Sequence, residues 1–303
     1  MRVYLLCLLP MLLNACATPS ANHIKAFSDS SARLIEMTQK VLNSVNESTI
    51  NRKLYALATL PPDRVNTLSV EQFSNVRGIY IDKEKSPLLK AIHAVQTYME
   101  ALGMLSSADY RPQVDLASQK LYSALNRMST QYNEITGKDL GIKQENYAAI
   151  ATLFDAIGLS LIEAKRREAM KAIILEANPH VQKLCDAIIA NIGNDMDLVR
   201  INLDRMMRER IEAYKKSYQR YSLDKKVAAL KTISLYSVDI EKLPSLFQDA
   251  KTATEKVKTA HQVMADTVLQ DQFSSARLAQ EVGTMRSLGD HLRIHYKGLN
   301  YDP

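Results

Sequence analysis

The sequence predicts an all-α protein, an elongated antiparallel bundle of long amphipathic helices, and three observations carry that expectation. Glycine and proline number only 9 each in 303 residues. Average usage gives roughly 20 and 15, so the turn chemistry of a sandwich, a barrel or a Gly-rich phosphate loop is scarce. Apolar residues recur at three and four residues through most of the chain, which is the spacing of one helix face. The one strand-like fragment, Ile79-Tyr80-Ile81, does not make a sheet. With 46% hydrophobic and 24% charged residues, the composition is that of a chain with a packed core. It excludes the disordered, collagen-like and multi-span membrane classes.

The first helix is expected from residue 23 to about Ala58, because Ile24, Phe27, Leu34, Ile35, Thr38, Val41, Leu42, Val45 and Thr49 fall on one stripe. Leu60-Pro61-Pro62 ends it. Ser86-Pro87 reads as an N-cap followed by a first-turn proline, opening a helix with Leu88, Leu89, Ile92, Val95, Met99 and Leu102 on one side. Asp109 to Pro112 breaks the pattern, and Val114, Leu121, Leu125 and Met128 mark a helix that stops near Gly137. The spacing resumes from Glu145 to about Ala177 through Tyr147, Ile150, Phe154, Ile157 and Leu161.

Asn178-Pro179 gives a second cap-and-proline signal, so a separate helix of roughly 65 Å is expected from there to about Tyr221. Its stripe runs through Leu184, Ile188, Ile192, Met196, Val199, Leu203, Met207 and Ile211 and on to Tyr214, Tyr218 and Tyr221. Ser222 caps the next helix, Ser245 and Gln248 form a capping box after Pro244, and the last helix runs from about Phe273 to Tyr296. No tetratricopeptide or HEAT period recurs. Short connections between long helices make neighbours antiparallel. The helices divide into an N-terminal half, 23–137, and a C-terminal half, 138–303, as two parts or as one continuous bundle.

At the N-terminus Arg2 precedes an apolar run from Val3 to Leu13. The run is too short to cross a bilayer as a helix and has the length of a signal-peptide core. The residues that follow, Leu13-Asn14-Ala15-Cys16, resemble the lipobox of bacterial lipoproteins, in which a small residue precedes the cysteine that is diacylated and becomes the new N-terminus. The resemblance covers about the first 20 residues. It implies a cleaved signal peptide, 1–15, and a lipidated flexible tether, 16–22, with Cys16 carrying the acyl chains that hold the protein on a membrane. In that family an Asp after the cysteine retains the protein at the inner membrane; Ala17 here implies the outer membrane. Cys7 leaves with the signal peptide, so Cys185, set between Leu184 and Ile188, is the lone remaining thiol. It is expected to be buried, with no intramolecular disulfide.

Charge is uneven along the chain. Between Arg200 and Lys226 there are nine bases and four acids, while the rest of the mature chain sums to zero. Arg200, Arg205, Arg208, Lys215, Lys216 and Arg220, interleaved with tyrosines, form a candidate contact for lipid phosphates, an anionic glycan or an acidic partner. The simpler reading is a solvated helix back, with Tyr214, Tyr218 and Tyr221 continuing the core stripe. Export argues against nucleic acid as a partner.

His291 and His295, one turn apart beside Asp290, are weak metal candidates, since two ligands do not make a site and no Glu-x-x-His accompanies them. No nucleophile motif occurs, and no cofactor is expected. The function that follows is non-enzymatic: an outer-membrane-anchored lipoprotein, facing the periplasm, that serves as scaffold or adaptor for an envelope protein assembly. The alternatives are a bundle that carries or senses a small apolar or lipidic ligand, and a surface-exposed adhesin or evasion lipoprotein. The oligomeric state is left open.

Overall fold

The computed structural model describes residues 19–58, 86–108, 111–141, 162–270 and 276–297. These form α1 (Pro19–Ala58), α2 (Pro87–Ser106), α3 (Arg111–Thr136), α4 (Ile162–Ser217), α5 (Leu223–Leu269) and α6 (Ala276–Lys297), with a 3-10 turn at Tyr218–Arg220. There is no strand among the described residues. The protein is all-α. Cys16 and the signal peptide lie outside the described residues, as do Ile79-Tyr80-Ile81 and the Tyr147-to-Leu161 series. α1 opens at Pro19, so Pro19–Asn22, expected in the flexible tether, are helical.

The local signals for helix ends act as their chemistry dictates at three places. Ser86 Oγ accepts a hydrogen bond from the Leu89 amide at 3.3 Å, with Pro87 in the first turn. Gly137 ends α3 with φ +68°, a backbone conformation that costs a side-chain-bearing residue, and its N–H donates to the Asn133 carbonyl at 2.8 Å. Ser222 Oγ caps α5 by accepting from the Lys225 amide.

Two expected helix boundaries do not exist. α4 runs unbroken through Pro179 and α5 through Pro244. Asn178 caps nothing; Ser245 Oγ donates to the Lys242 carbonyl, and Gln248 turns to Thr252. A proline inside a helix costs about 3 kcal/mol, and packing on both sides of each ring offsets it. Ala177, His180, Val181 and Leu184 are buried around an exposed Pro179, and Leu243, Leu246 and Phe247 around an exposed Pro244. Each buried aliphatic or aromatic side chain contributes about 1.5–3 kcal/mol, so the buried stripe wins over the local break.

One contiguous apolar cluster joins all six helices, from Ile24 and Phe27 through Tyr98 and Leu125 to Ile188, Phe247 and Leu292. Contacts fix several helix directions. Lys90 meets Glu134 and Lys120 meets Met104, so α2 and α3 run antiparallel. Asn178 bonds Gln262, Gln182 bonds the Lys258 carbonyl and Gly193 lies beside Lys251, so α4 and α5 run antiparallel. The α1–α6 pair, which no short connection joins, is not antiparallel: Ser30 and Ser31 meet Arg286 and Met285, and one turn further along both helices Leu34 meets Gly289. Geometry requires such an exception, because α1, α5 and α6 pack against one another and three mutually touching helices cannot all be antiparallel.

Candidate interaction surface

The basic segment singled out in the sequence occupies the far end of the α4–α5 hairpin. Between Met206 on α4 and Leu243 on α5, no described side chain is fully buried. This stretch is an arm, about 20 Å of paired helix beyond the core. Among the described residues only α4 and α5 run together here, and two helices alone cannot enclose a side chain, which explains why the tyrosines do not continue the core stripe as expected. Tyr214 and Tyr221 are half-buried and Tyr218 is 49% exposed. They pack against one another instead, Tyr214–Tyr218 edge-on with ring centroids 5.7 Å apart and Tyr214–Tyr221 tilted at 6.5 Å. The Lys226 ammonium sits 3.8 Å from the centre of the Tyr218 ring.

Lys216 and Arg220 are exposed on the arm, and Arg200 and Arg205 are exposed on α4 just before it. Arg208 pairs with Asp204 at 3.0 Å and Lys215 with Glu212 at 2.8 Å; Lys215 holds the Glu212 carboxyl below its ordinary range. Such exposed pairs add little stability. With two of the acids engaged locally, the arm presents a basic surface.

Apolar groups that sequence reasoning missed accompany the cations. Leu223 is 75% exposed, Val227 56% and Leu230 50%, and their i, i+4, i+7 spacing puts them on one face of α5. A signal for them exists in the sequence. Extending the buried α5 stripe backward from Phe247 and Leu243 in helical steps passes through half-buried Ile240, Ile233 and Ala229, leaving these three off the core face.

The arm tip and the start of α1 are at opposite ends. Phe27 on α1 and Asn178 on α4 both touch His261 of α5, so these residues share one level. From His261 at Phe27, the chain passes out along α5 and returns along α6 to Met285 at Ser31, so α5 and α6 are antiparallel and α1 runs with α4. Ser217 is therefore about 60 Å from this level along α4, and Pro19 about 12 Å on its other side.

The remaining candidates stand apart. His291 is exposed on α6; the His295 side chain, like Cys16, lies outside the described residues. Asp290 pairs with Arg293 at 3.3 Å. Among the described residues no group of three His, Cys, Asp or Glu side chains is gathered to hold a metal ion. No helix among them is long and apolar enough to cross a membrane.

A groove of about 660 Å³ between α1, α2 and α3 is lined by Gln39, Asn43, Lys90, His93, Arg127 and Gln131 among others. Gln131 is buried and its Oε1 has no hydrogen-bond partner.

The chain matches no family model, no curated protein and no solved structure.

Proposed function

We propose that this chain is a non-enzymatic adaptor of the cell envelope, lipidated at Cys16, held on the outer membrane and facing the periplasm. Its bundle holds out the α4–α5 arm to an envelope protein partner. The observation that carries the reading is the arm itself, whose exposed apolar and basic tip lies about 70 Å along the bundle from the N-terminal end of α1. An acylated N-terminus and a tip at the opposite end suit a protein that reaches from a membrane to something else. Cross-linking in intact cells tests it: a single abundant envelope protein captured through the bundle supports the adaptor, and capture of no protein at any position refutes it.

The groove between α1, α2 and α3 favours a second reading, a ligand carrier. Its lining combines Leu89 and the apolar stems of its longer side chains with amides and cations, which suits an amphipathic molecule, and Gln131 Oε1 there is an acceptor in need of a donor. Native mass spectrometry of the purified chain tests this: a stoichiometric small-molecule adduct lost on Gln131→Leu supports the carrier, and a bare chain opposes it.

A further inference from the structure

The arm presents one face in which apolar and cationic groups alternate. On α5, Leu223, Val227 and Leu230 share this face, and half-buried Lys226, three residues after Leu223 and four before Leu230, borders it on the side toward α4. Lys226 covers the Tyr218 ring, so the face continues onto the end of α4, where Lys215, in an exposed and exchangeable pair with Glu212, lies one turn before Tyr218. The result is an apolar ridge running along the arm, with an ammonium group beside each helix and a segment charge of +5 around it. Three large aliphatic side chains exposed by half or more, side by side, is a feature that single surface leucines do not share.

We propose that this face seats an amphipathic helix of a partner protein whose flanks are rich in Asp and Glu, turning the two-helix arm into a three-helix coil; the proposal rests on the adaptor reading and names its surface and partner chemistry. The ridge runs parallel to the arm axis and occupies the side of α5, so its complement is a rod laid alongside, with apolar residues at three- and four-residue spacing. A second copy of the chain meeting this face through the same face would oppose two segments of +5, which like-charge repulsion disfavours. A lipid surface meeting the tip end-on would meet Arg220, Ser222, Asp224 and Lys225 and only the Leu223 end of the ridge, leaving Val227 and Leu230 along the side of the arm unengaged.

The test places a photo-reactive phenylalanine analogue at Val227 of the full chain, and separately at exposed Glu255 in the bundle part of α5, in cells that make the protein. The captured peptide is then sequenced by mass spectrometry. The expected result is one protein captured at Val227, through a segment with helical apolar spacing and a surplus of Asp and Glu. Adding Lys215→Glu and Lys226→Glu should reduce the yield about tenfold, with unchanged thermal unfolding. Capture at Val227 of a phospholipid, a second copy or a segment without acidic flanks overturns the proposal, and so does a yield indifferent to the two charge reversals. Capture of a protein at Glu255 but not at Val227 overturns this surface and leaves the adaptor reading standing; capture of none at either refutes both.

Discussion

The hydroxyl of Tyr98 and Nε2 of His261 meet at 2.9 Å in the middle of the core, both side chains fully buried. The other ring nitrogen, Nδ1, lies 2.9 Å from Oδ1 of Asn178. That oxygen only accepts, so Nδ1 carries the proton and Nε2 accepts from the tyrosine, giving a neutral imidazole with both nitrogens satisfied. Asn178 in turn donates to Gln262 at 2.7 Å, and Phe27 packs edge-on against the ring. Helices α1, α2, α4 and α5 are thus joined at one polar node, whose partners must all be present because an orphaned buried polar group costs about 1–3 kcal/mol.

A pH dependence follows from this node. Burial pushes the His261 pKa down to about 3, while the unfolded chain takes up the proton near 6.5. A lowered histidine pKa means that the unfolded state binds more protons between those two values. Stability is therefore full above about pH 6.5 and falls as pH drops toward 3, by up to about 1.4 kcal/mol per pH unit. Thermal unfolding between pH 8 and 4 should show this loss, and His261→Gln should flatten much of it while lowering stability at pH 8. An equally steep acid loss in the variant would assign the effect to other groups. His180, also lowered chiefly by burial, contributes in the same direction.

The helical glycines should respond in opposite ways to alanine. A Cβ on Gly103 would lie 2.9 Å from Ser28 Cβ on α1, so the two helices must separate, and Gly103→Ala should destabilise by about 1–3 kcal/mol. At Gly193 the nearest atom, at 2.9 Å, is the ammonium end of Lys251, which can swing away. Gly193→Ala should stabilise by up to about 1 kcal/mol through helix propensity. Denaturant unfolding of both variants checks the pair, and equal signs would contradict it.

How much of this was legible in the sequence depends on the distance over which each feature is decided. The Ser86-Pro87 start and the Gly137 stop are settled within one turn, by a hydroxyl, a missing N–H and a positive φ, and they were readable. Pro179 and Pro244 give break signals that the structure does not obey, because the same local signals compete there with burial contributed by other helices. The node around His261 had no signal at all, since Tyr98 and Asn178 stand 163 and 83 residues away. The basic run was visible as composition. Its setting on an arm was hidden, because Tyr214 and Tyr218 keep core spacing past the point where the core ends.

Cys185 should be chemically silent in the folded chain. Burial, with Asp186 adding to it, pushes its thiol up to about 12, and none of its surface is accessible. A thiolate is the reacting form, so a disulfide-exchange reagent at pH 8 should label the native protein no faster than it unfolds, and should label Cys185 promptly in denaturant. Rapid labelling of the native chain would mean that α4 and α5 open locally at this level.

The arm should be the least protected part of the α4–α5 hairpin. From Met207 to Lys242 no described side chain is fully buried, whereas Leu243, Phe247, Ala250, Val257 and Met264 on α5 are. Protection against hydrogen exchange follows the burial that opening must expose, so amides of residues 223–240 should exchange at least about tenfold faster than those of 247–265. Pro244 marks the junction: having no N–H, it leaves the helix one bond short where the buried stripe begins. Pro244→Ala should restore that bond and slow exchange in the turn around residues 240–248, while the tip beyond Leu230 keeps its fast rate. Uniform protection from Leu223 to Leu269 would show that the arm is held by more than its two helices. Selective slowing at 223–230 when a partner helix is added would locate that helix on the apolar ridge.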